Sequence, residues 1–331
     1  MSRGGDPKEL AKEAELLLSV GRVAEAERVC HALLLAAPDH PTALMILGAV
    51  CMAAGRLAEA EVFLRRGCEV HPQIVGFHAA LGRTRLQLGQ PSEALEPLEN
   101  CVLLDPNTGD HRAGLVVIYQ TISFVTFNER SKQAMLACLA DETLTHSLMH
   151  EAWLSLLRVD PKSADFLELF DAAVDYPSFC ARLVEAPWLL RAIQTAQLLW
   201  GGLGRFPAAD VAIDRGLTYV RRWFFEYRSA VDWSLAILCS LARYCFLTGY
   251  VFKSDEDYRP LRADASTAAA VALLGCYEPL WPDERAAQWS HLTQDACYRD
   301  LVQALIEEPL EEQSLRSSIS STSPIDDNKN V

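Results

Sequence analysis

His146 and His150 stand four residues apart, and Glu151 follows directly. On one α-helix that spacing turns two imidazoles toward the same side, where they can share a metal ion. A metal-dependent hydrolase needs a third ligand and a glutamate in a set position relative to its histidines. The order here, His-Ser-Leu-Met-His-Glu, matches neither known arrangement. The pair therefore reads as two ordinary, partly exposed histidines, no metal ligand is assigned, and a metal-dependent enzyme is the least favoured class.

Gly201-Gly202-Leu203-Gly204 is rich in glycine, as phosphate-binding loops are. A dinucleotide loop needs Gly-x-Gly-x-x-Gly between a strand and a helix, with an acidic residue about 20 positions on. This stretch follows a helix-like run with the wrong spacing, so it reads as a helix-ending turn. Trp223-Phe224-Phe225-Glu226-Tyr227, preceded by Arg221-Arg222, is the densest aromatic cluster. Such a cluster can stack bases or anchor a partner, but helical spacing spreads its rings around the axis, and most are expected in a core. No Walker pattern, nucleophile elbow or catalytic carboxylate pair occurs, so neither a catalytic residue nor a cofactor is assigned.

The bulk numbers narrow the classes further. The chain has 331 residues, half of them hydrophobic, with a formal net charge of −14 and a pI near 5.0. That balance opposes nucleic acid and anionic membranes, both of which need a basic footprint. Ten cysteines (30, 51, 68, 101, 138, 180, 239, 245, 276 and 297) include no C-x-x-C pair and lie mostly in apolar helical runs. They read as small buried hydrophobes in a reducing compartment. The N-terminus is polar and no apolar run reaches about 18 residues, so a cytoplasmic protein without signal peptide or membrane span is expected.

The elements that position any site follow from a period. Pro38, Pro72 and Pro106 are 34 residues apart; so are Gly21, Gly55 and Gly89, and Ala26, Ala60 and Ala94; Gly48 and Gly82 share the interval. A fixed period with small residues at fixed phases marks stacked helix pairs. Within residues 41–74, Leu44, Leu47 and Gly48 mark the inner side of a first helix. Gly55-Arg56 forms the turn, and Ala60 and Leu64 face inward from a second helix. Pro72 stops that helix without breaking a needed hydrogen bond. Residues 75–108 repeat the pattern with Leu81, Gly82, Gly89, Ala94, Leu98 and Pro106. In the first unit Ala14 stands where Gly48 and Gly82 stand later.

Over residues 7–108 the chain resembles the tetratricopeptide repeat family, with three repeats. Residues 109–130 read as a degenerate fourth repeat or capping helices. The resemblance implies an α-solenoid whose concave groove is lined by the first helix of each pair. Carried onto this sequence, the groove positions are Ala11, Glu15 and Leu18; Met45, Ala49 and Met52; Ala79, Arg83 and Leu86. A subset of that family grips C-terminal carboxylates with basic residues; here only Arg83 is basic, so the groove suits an apolar segment of a partner protein or peptide. The alternative occupant is part of the same chain, from residues 109–130 or the C-terminal half.

All seven tryptophans follow residue 150. Helical patterns run over 131–139, 145–158, 188–203, 208–227, 230–250, 264–276 and 295–307. Breaks are expected at Asp160-Pro161, Tyr176-Pro177, Gly201-Gly202, Ser254–Pro260 and Pro279–Pro282. Residues 131–313 thus read as a larger, irregular helical domain, and 314–331, rich in Ser, Asp and Asn, as a disordered tail. Leu241–Phe252 (LARYCFLTGYVF), Leu273–Trp281 (LLGCYEPLW) and Leu305–Asp327 resemble the helical region of bacterial repeat-containing proteins that continue into a S-adenosylmethionine-dependent methyltransferase domain. The chain ends at Val331, without that domain's cofactor loop, so no catalytic residue carries over. The expectation is an all-α, non-catalytic protein-interaction scaffold. The alternative is the regulatory or substrate-presenting part of a methyltransferase system.

Overall fold

A computed structural model describes residues 6–228, 234–250 and 257–321. Among these residues every regular element is a helix. The chain divides into two compact units, Met1–Leu156 and Leu157–Val331.

The first unit begins with three helix pairs: α1 (Pro7–Ser19) with α2 (Val23–Ala36), α3 (Pro41–Ala53) with α4 (Leu57–Val70), and α5 (Val75–Gln87) with α6 (Pro91–Leu104). Each pair turns on a glycine with positive φ: Gly21 at 78°, Gly55 at 73° and Gly89 at 75°. Only glycine enters this left-handed region without strain. The same two backbone bonds close each turn. In the second pair Gly55 N donates to Met52 O (3.1 Å) and Arg56 N to Cys51 O (2.8 Å). The repeated sequence phase is therefore a repeated helix-ending motif that satisfies the last carbonyls of the first helix.

The pairs interlock through small residues. A Cβ on Gly48 would lie 2.5 Å from Leu64, and one on Gly82 would lie 2.6 Å from Leu98. In the first pair the phases hold Ala14 and Cys30, both fully buried in one cluster with Leu33 and Leu47. The larger Ala14 thus meets the smaller Cys30 where glycine meets leucine in the later repeats, so volume is conserved across the contact. Ala26, Ala60 and Ala94 are fully buried. Ion pairs join successive pairs, Arg56 to Glu27 (2.7 Å), Arg66 to Asp39 (2.8 Å) and Arg85 to Glu61 (3.0 Å). An exposed pair such as Arg66–Asp39 contributes about 0–1 kcal/mol, and Arg85–Glu61 is the most shielded of the three.

The unit continues with α7 (Gly109–Tyr119) and α8 (Glu129–Leu139), both packed on α6. Glu99 on α6 is fully buried and accepts from Arg130 Nε at 3.1 Å. Burial pushes its carboxyl up, while hydrogen bonds from Ser131 and Arg130 pull it back. A 3-10 turn, His146–Met149, leads into α9 (His150–Val159), within which the division between the units falls.

The second unit holds α10 (Pro161–Ala172), α11 (Tyr176–Glu185), α12 (Trp188–Gln194), α13 (Gln197–Leu203), α14 (Val211–Glu226), α15 (Leu235–Leu247), α16 (Arg259–Asp264), α17 (Ala268–Gly275), α18 (Ala286–Trp289), α19 (Ala296–Val302) and, after a π-helical turn, α20 (Glu308–Ser321). Helix α14 packs on α10, where a Cβ on Gly216 would meet the Phe170 ring at 2.2 Å. Helix α15 packs against α13, α17 and α19.

The expected breaks at Asp160-Pro161 and Tyr176-Pro177 fall at junctions between helices, and each proline sits in the first turn of the helix that follows. Asp160 caps α10 by accepting from Lys162 N (3.0 Å), and Asp175 and Ser178 form a capping box on α11. The run 188–203 is two helices parted at Thr195–Ala196, whereas Gly201 and Gly202 stay inside α13. A tight turn, Gln197 N to Thr195 O (2.9 Å), separates the two helices, and Trp200 Nε1 donates back to Ile193 O (2.7 Å). The tail expected from Ser314 starts helical: α20 runs to Ser321, carrying an i,i+4 contact between Glu312 and Arg316. Residues 322–331, the beginning of the 230–250 run and the first three residues of the Ser254–Pro260 break lie outside the described residues, as do the last two residues of the Leu241–Phe252 stretch.

Candidate functional site: a groove of first helices

The first helices are neighbours in order, α1 beside α3 and α3 beside α5. The side of each helix that holds its partner is set by the buried phases. On α3 these are Leu44, Leu47 and Gly48, and Met45, Ala49 and Met52 are displaced from them by about 100° per residue step. Glu15, Leu18, Ala49, Arg83 and Leu86 are exposed, and Met45, Met52 and Ala79 are half-buried. Ala11 differs: it is buried in the first core cluster and presents no groove surface.

Glu15, Leu18 and Met45 come together in one open cavity of about 470 Å³, whose other walls include Thr42, Ile74 and Phe77. Met45 and Met52 also pack on the core cluster that contains Phe77, Leu64 and Leu81, so their thioether stems are anchored while part of each chain faces out. Met45 Cε lies at the start of α5, where a Cβ on Gly76 would stand 3.1 Å from it. Glu15 is the only charged wall residue, and its Oε1 accepts from Thr42 Oγ1 at 3.5 Å. The cavity is thus an apolar depression with one carboxylate at its rim. Its other walls carry the hydroxyls of Ser19 and Thr42.

Ala49, Met52, Ala79, Arg83 and Leu86 lie outside that cavity's lining. Conversely, the sequence mapping missed Thr42, Ile74 and Phe77. They belong to the N-terminal ends of α3 and α5, and a mapping confined to one stripe per helix passes over them. The available signal was the pair Gly67 and Phe77, an unusual small residue opposite a large one.

The other candidates separate. His146 sits in the 3-10 turn and His150 opens α9. With about three residues per turn, positions four apart in a 3-10 segment point about 120° apart, so the shared helical side is absent. Among the described residues, no group of three or more His, Cys, Asp or Glu could hold a metal. Gly201 and Gly202 lie in the last turn of α13, with Gly204 at its C-cap. In the aromatic cluster Phe224 is buried, Phe225 meets Tyr277 edge-on, and Trp223 stacks on Tyr227 at 4.5 Å. Arg221, whose burial was not expected, lies over the Tyr277 ring at 4.9 Å, and Arg222 lies over Tyr176 at 4.1 Å. Among the described residues no helix is long and apolar enough to cross a membrane.

Helical pairs, a 34-residue period and a groove on the first helices define a repeat protein of the all-α class. The tetratricopeptide repeat family model matches residues 12–74, which span most of the first two helix pairs. No curated protein matches the chain. Among solved structures, it is similar to a mutant O-GlcNAc transferase of Thermobaculum terrenum, with 25% identity and a TM-score of 0.34 over 42% of this chain and 26% of that one. The chain therefore spans about a quarter of that enzyme's length. Neither similarity is to a methyltransferase.

Proposed function

We propose that this chain is a non-catalytic interaction scaffold that holds an apolar segment of a partner polypeptide along α1, α3 and α5. The cavity walled by Leu18, Met45, Ile74 and Phe77 carries the reading, because it is apolar, open and built from successive repeats. Repeat arrays expose such concave surfaces to bind other chains. The chain's charge of −14 weighs against a nucleic-acid or anionic-lipid partner. Its cysteines, spread through the helices, support work in the reducing cytoplasm.

Magnitudes set how the partner engages. Burying one Leu- or Phe-sized side chain is worth about 1.5–3 kcal/mol. That alone falls short of millimolar affinity, which needs about 4 kcal/mol. A partner held at micromolar affinity must therefore also cover Ala49, Met52 and Leu86 along the groove.

The test is Met45→Glu with Met52→Glu. Both side chains are half-buried, so the helices persist, and the expected result is lost partner capture with an unchanged circular dichroism spectrum. Capture retained at wild-type level overturns the reading.

A further inference from the structure

Glu15, Ala49 and Arg83 occupy one structural position. Each stands eight residues after the first residue of its helix, on α1, α3 and α5 in turn. All three are exposed. The series along the groove is therefore acid, neutral, base. Neither end is committed elsewhere: Glu15 accepts only a 3.5 Å hydrogen bond from Thr42, and Arg83 Nε donates only to Ala79 O of its own helix (3.3 Å). Among the described residues neither makes an ion pair, in contrast to Arg56, Arg66 and Arg85, each bound to a carboxylate of the preceding pair. On α1 the nearby cations are Lys12, one turn from Glu15 and paired with Glu9 at 3.5 Å, and Lys8, two turns (about 10 Å) away; neither walls the cavity.

The polarity has a length. Neighbouring packed helices lie about 8–10 Å apart, so two steps put the Glu15 and Arg83 positions about 18 Å apart. An extended chain covers that distance in about five residues. The apolar cavity adjoins the Glu15 end, because Glu15 is itself part of its wall.

We infer that the groove selects an extended polypeptide segment by charge polarity: a basic residue facing Glu15, a bulky apolar residue beside it in the cavity, and an acidic residue about five positions away facing Arg83. This rests on the groove reading above and adds the partner's charge pattern to it. Exposed pairs contribute little net affinity but a large part of specificity, since the reversed segment would set like charges against each other at both ends.

Fluorescein-labelled heptapeptides on an Ala/Gln background test it by anisotropy. The first carries Arg beside Leu with Glu five positions from the Arg, made in both chain directions. The second exchanges the two charges, and the third replaces both with Gln. The better direction of the first peptide is expected to bind about tenfold tighter than the exchanged one, with the gap closing as salt rises. The Glu15→Arg/Arg83→Glu protein is expected to reverse the preference. Equal binding of all three peptides that is lost in Met45→Glu overturns the polarity and leaves the apolar groove standing. Failure of every peptide to bind overturns the inference, and so does an unchanged preference in the charge-exchanged protein.

Discussion

A Cβ on Gly67 would lie 2.3 Å from the ring of Phe77. The missing side chain at the end of α4 is what admits the ring that walls the groove cavity beside α5. Glycine inside a helix costs about 1 kcal/mol relative to alanine, so a Gly67→Ala change gains propensity while losing the ring's site. The ring is rigid and buried, and overpacking of this kind costs about 1–3 kcal/mol. Gly67→Ala is therefore expected to destabilise, and adding Phe77→Leu to recover more than half of the loss. Urea denaturation of the two variants against Phe77→Leu alone measures the coupling, and additive losses would show that the two residues act independently.

The inter-helix turns make a second prediction. Gly55 and Gly89 have φ of 73° and 75° with nothing near the missing Cβ. A side chain there meets strain and no clash. Gly55→Ala is expected to cost about 1–2 kcal/mol, and Gly55→Asn less, because Asn visits the left-handed region more readily. Thermal unfolding ranks the three proteins, and Ala equal to Gly would refute the strain argument.

Burial also sets the thiol chemistry. It pushes the thiols of Cys30 and Cys101 up to about 11 and those of Cys68 and Cys138 up to about 12. All four are expected to resist iodoacetamide at pH 7.5 for as long as urea-unfolded protein takes to be fully labelled. Peptide mass spectrometry reads the labelling. Cys68, which is only half-buried, is the sensitive case, and rapid modification there would contradict the account.

An acid-sensitive contact lies at Asp141. The Thr143 hydroxyl and then the Arg112 guanidinium, 2.6 Å away, hold its carboxyl down at about 2. A carboxyl depressed in the folded state stabilises above the ordinary carboxylate range, near 3.9, and loses that contribution as pH falls toward 2. Asp141→Asn is expected to lower the melting temperature at pH 7 and to flatten its decline between about pH 4 and pH 2. A parallel decline in both proteins would assign the acid transition to other groups.

Much of the first unit was legible because its rules are local. Gly21, Gly55 and Gly89 announce a backbone conformation, and Gly48 against Leu64 announces a close approach; both recur at 34 residues. The second unit lacks that recurrence, and its punctuation was ambiguous. Pro161 and Pro177 can stop one helix or start the next, and what decides is the preceding carboxylate, Asp160 or Asp175, whose capping bonds are visible only in three dimensions. The break at Thr195 has no glycine or proline to mark it, and the tertiary bond from Trp200 to Ile193 stabilises it. In the groove, the stripe positions Glu15, Leu18 and Met45 do share a cavity. Phe77 escaped a stripe mapping because its place depends on Gly67, ten residues earlier on another helix, and that pairing does not recur with the 34-residue period.

The most direct measurement of the central claim is site-specific photocrosslinking in cells. A photoreactive phenylalanine analogue is placed at Ala49, in the middle of the groove, or at Val62, an exposed residue of α4. The account predicts that adducts at position 49 contain an extended apolar segment of a partner polypeptide, and that Met45→Glu with Met52→Glu abolishes them while adducts at position 62 are unaffected. Partner adducts confined to position 62, or adducts at 49 that survive both glutamates, would contradict it.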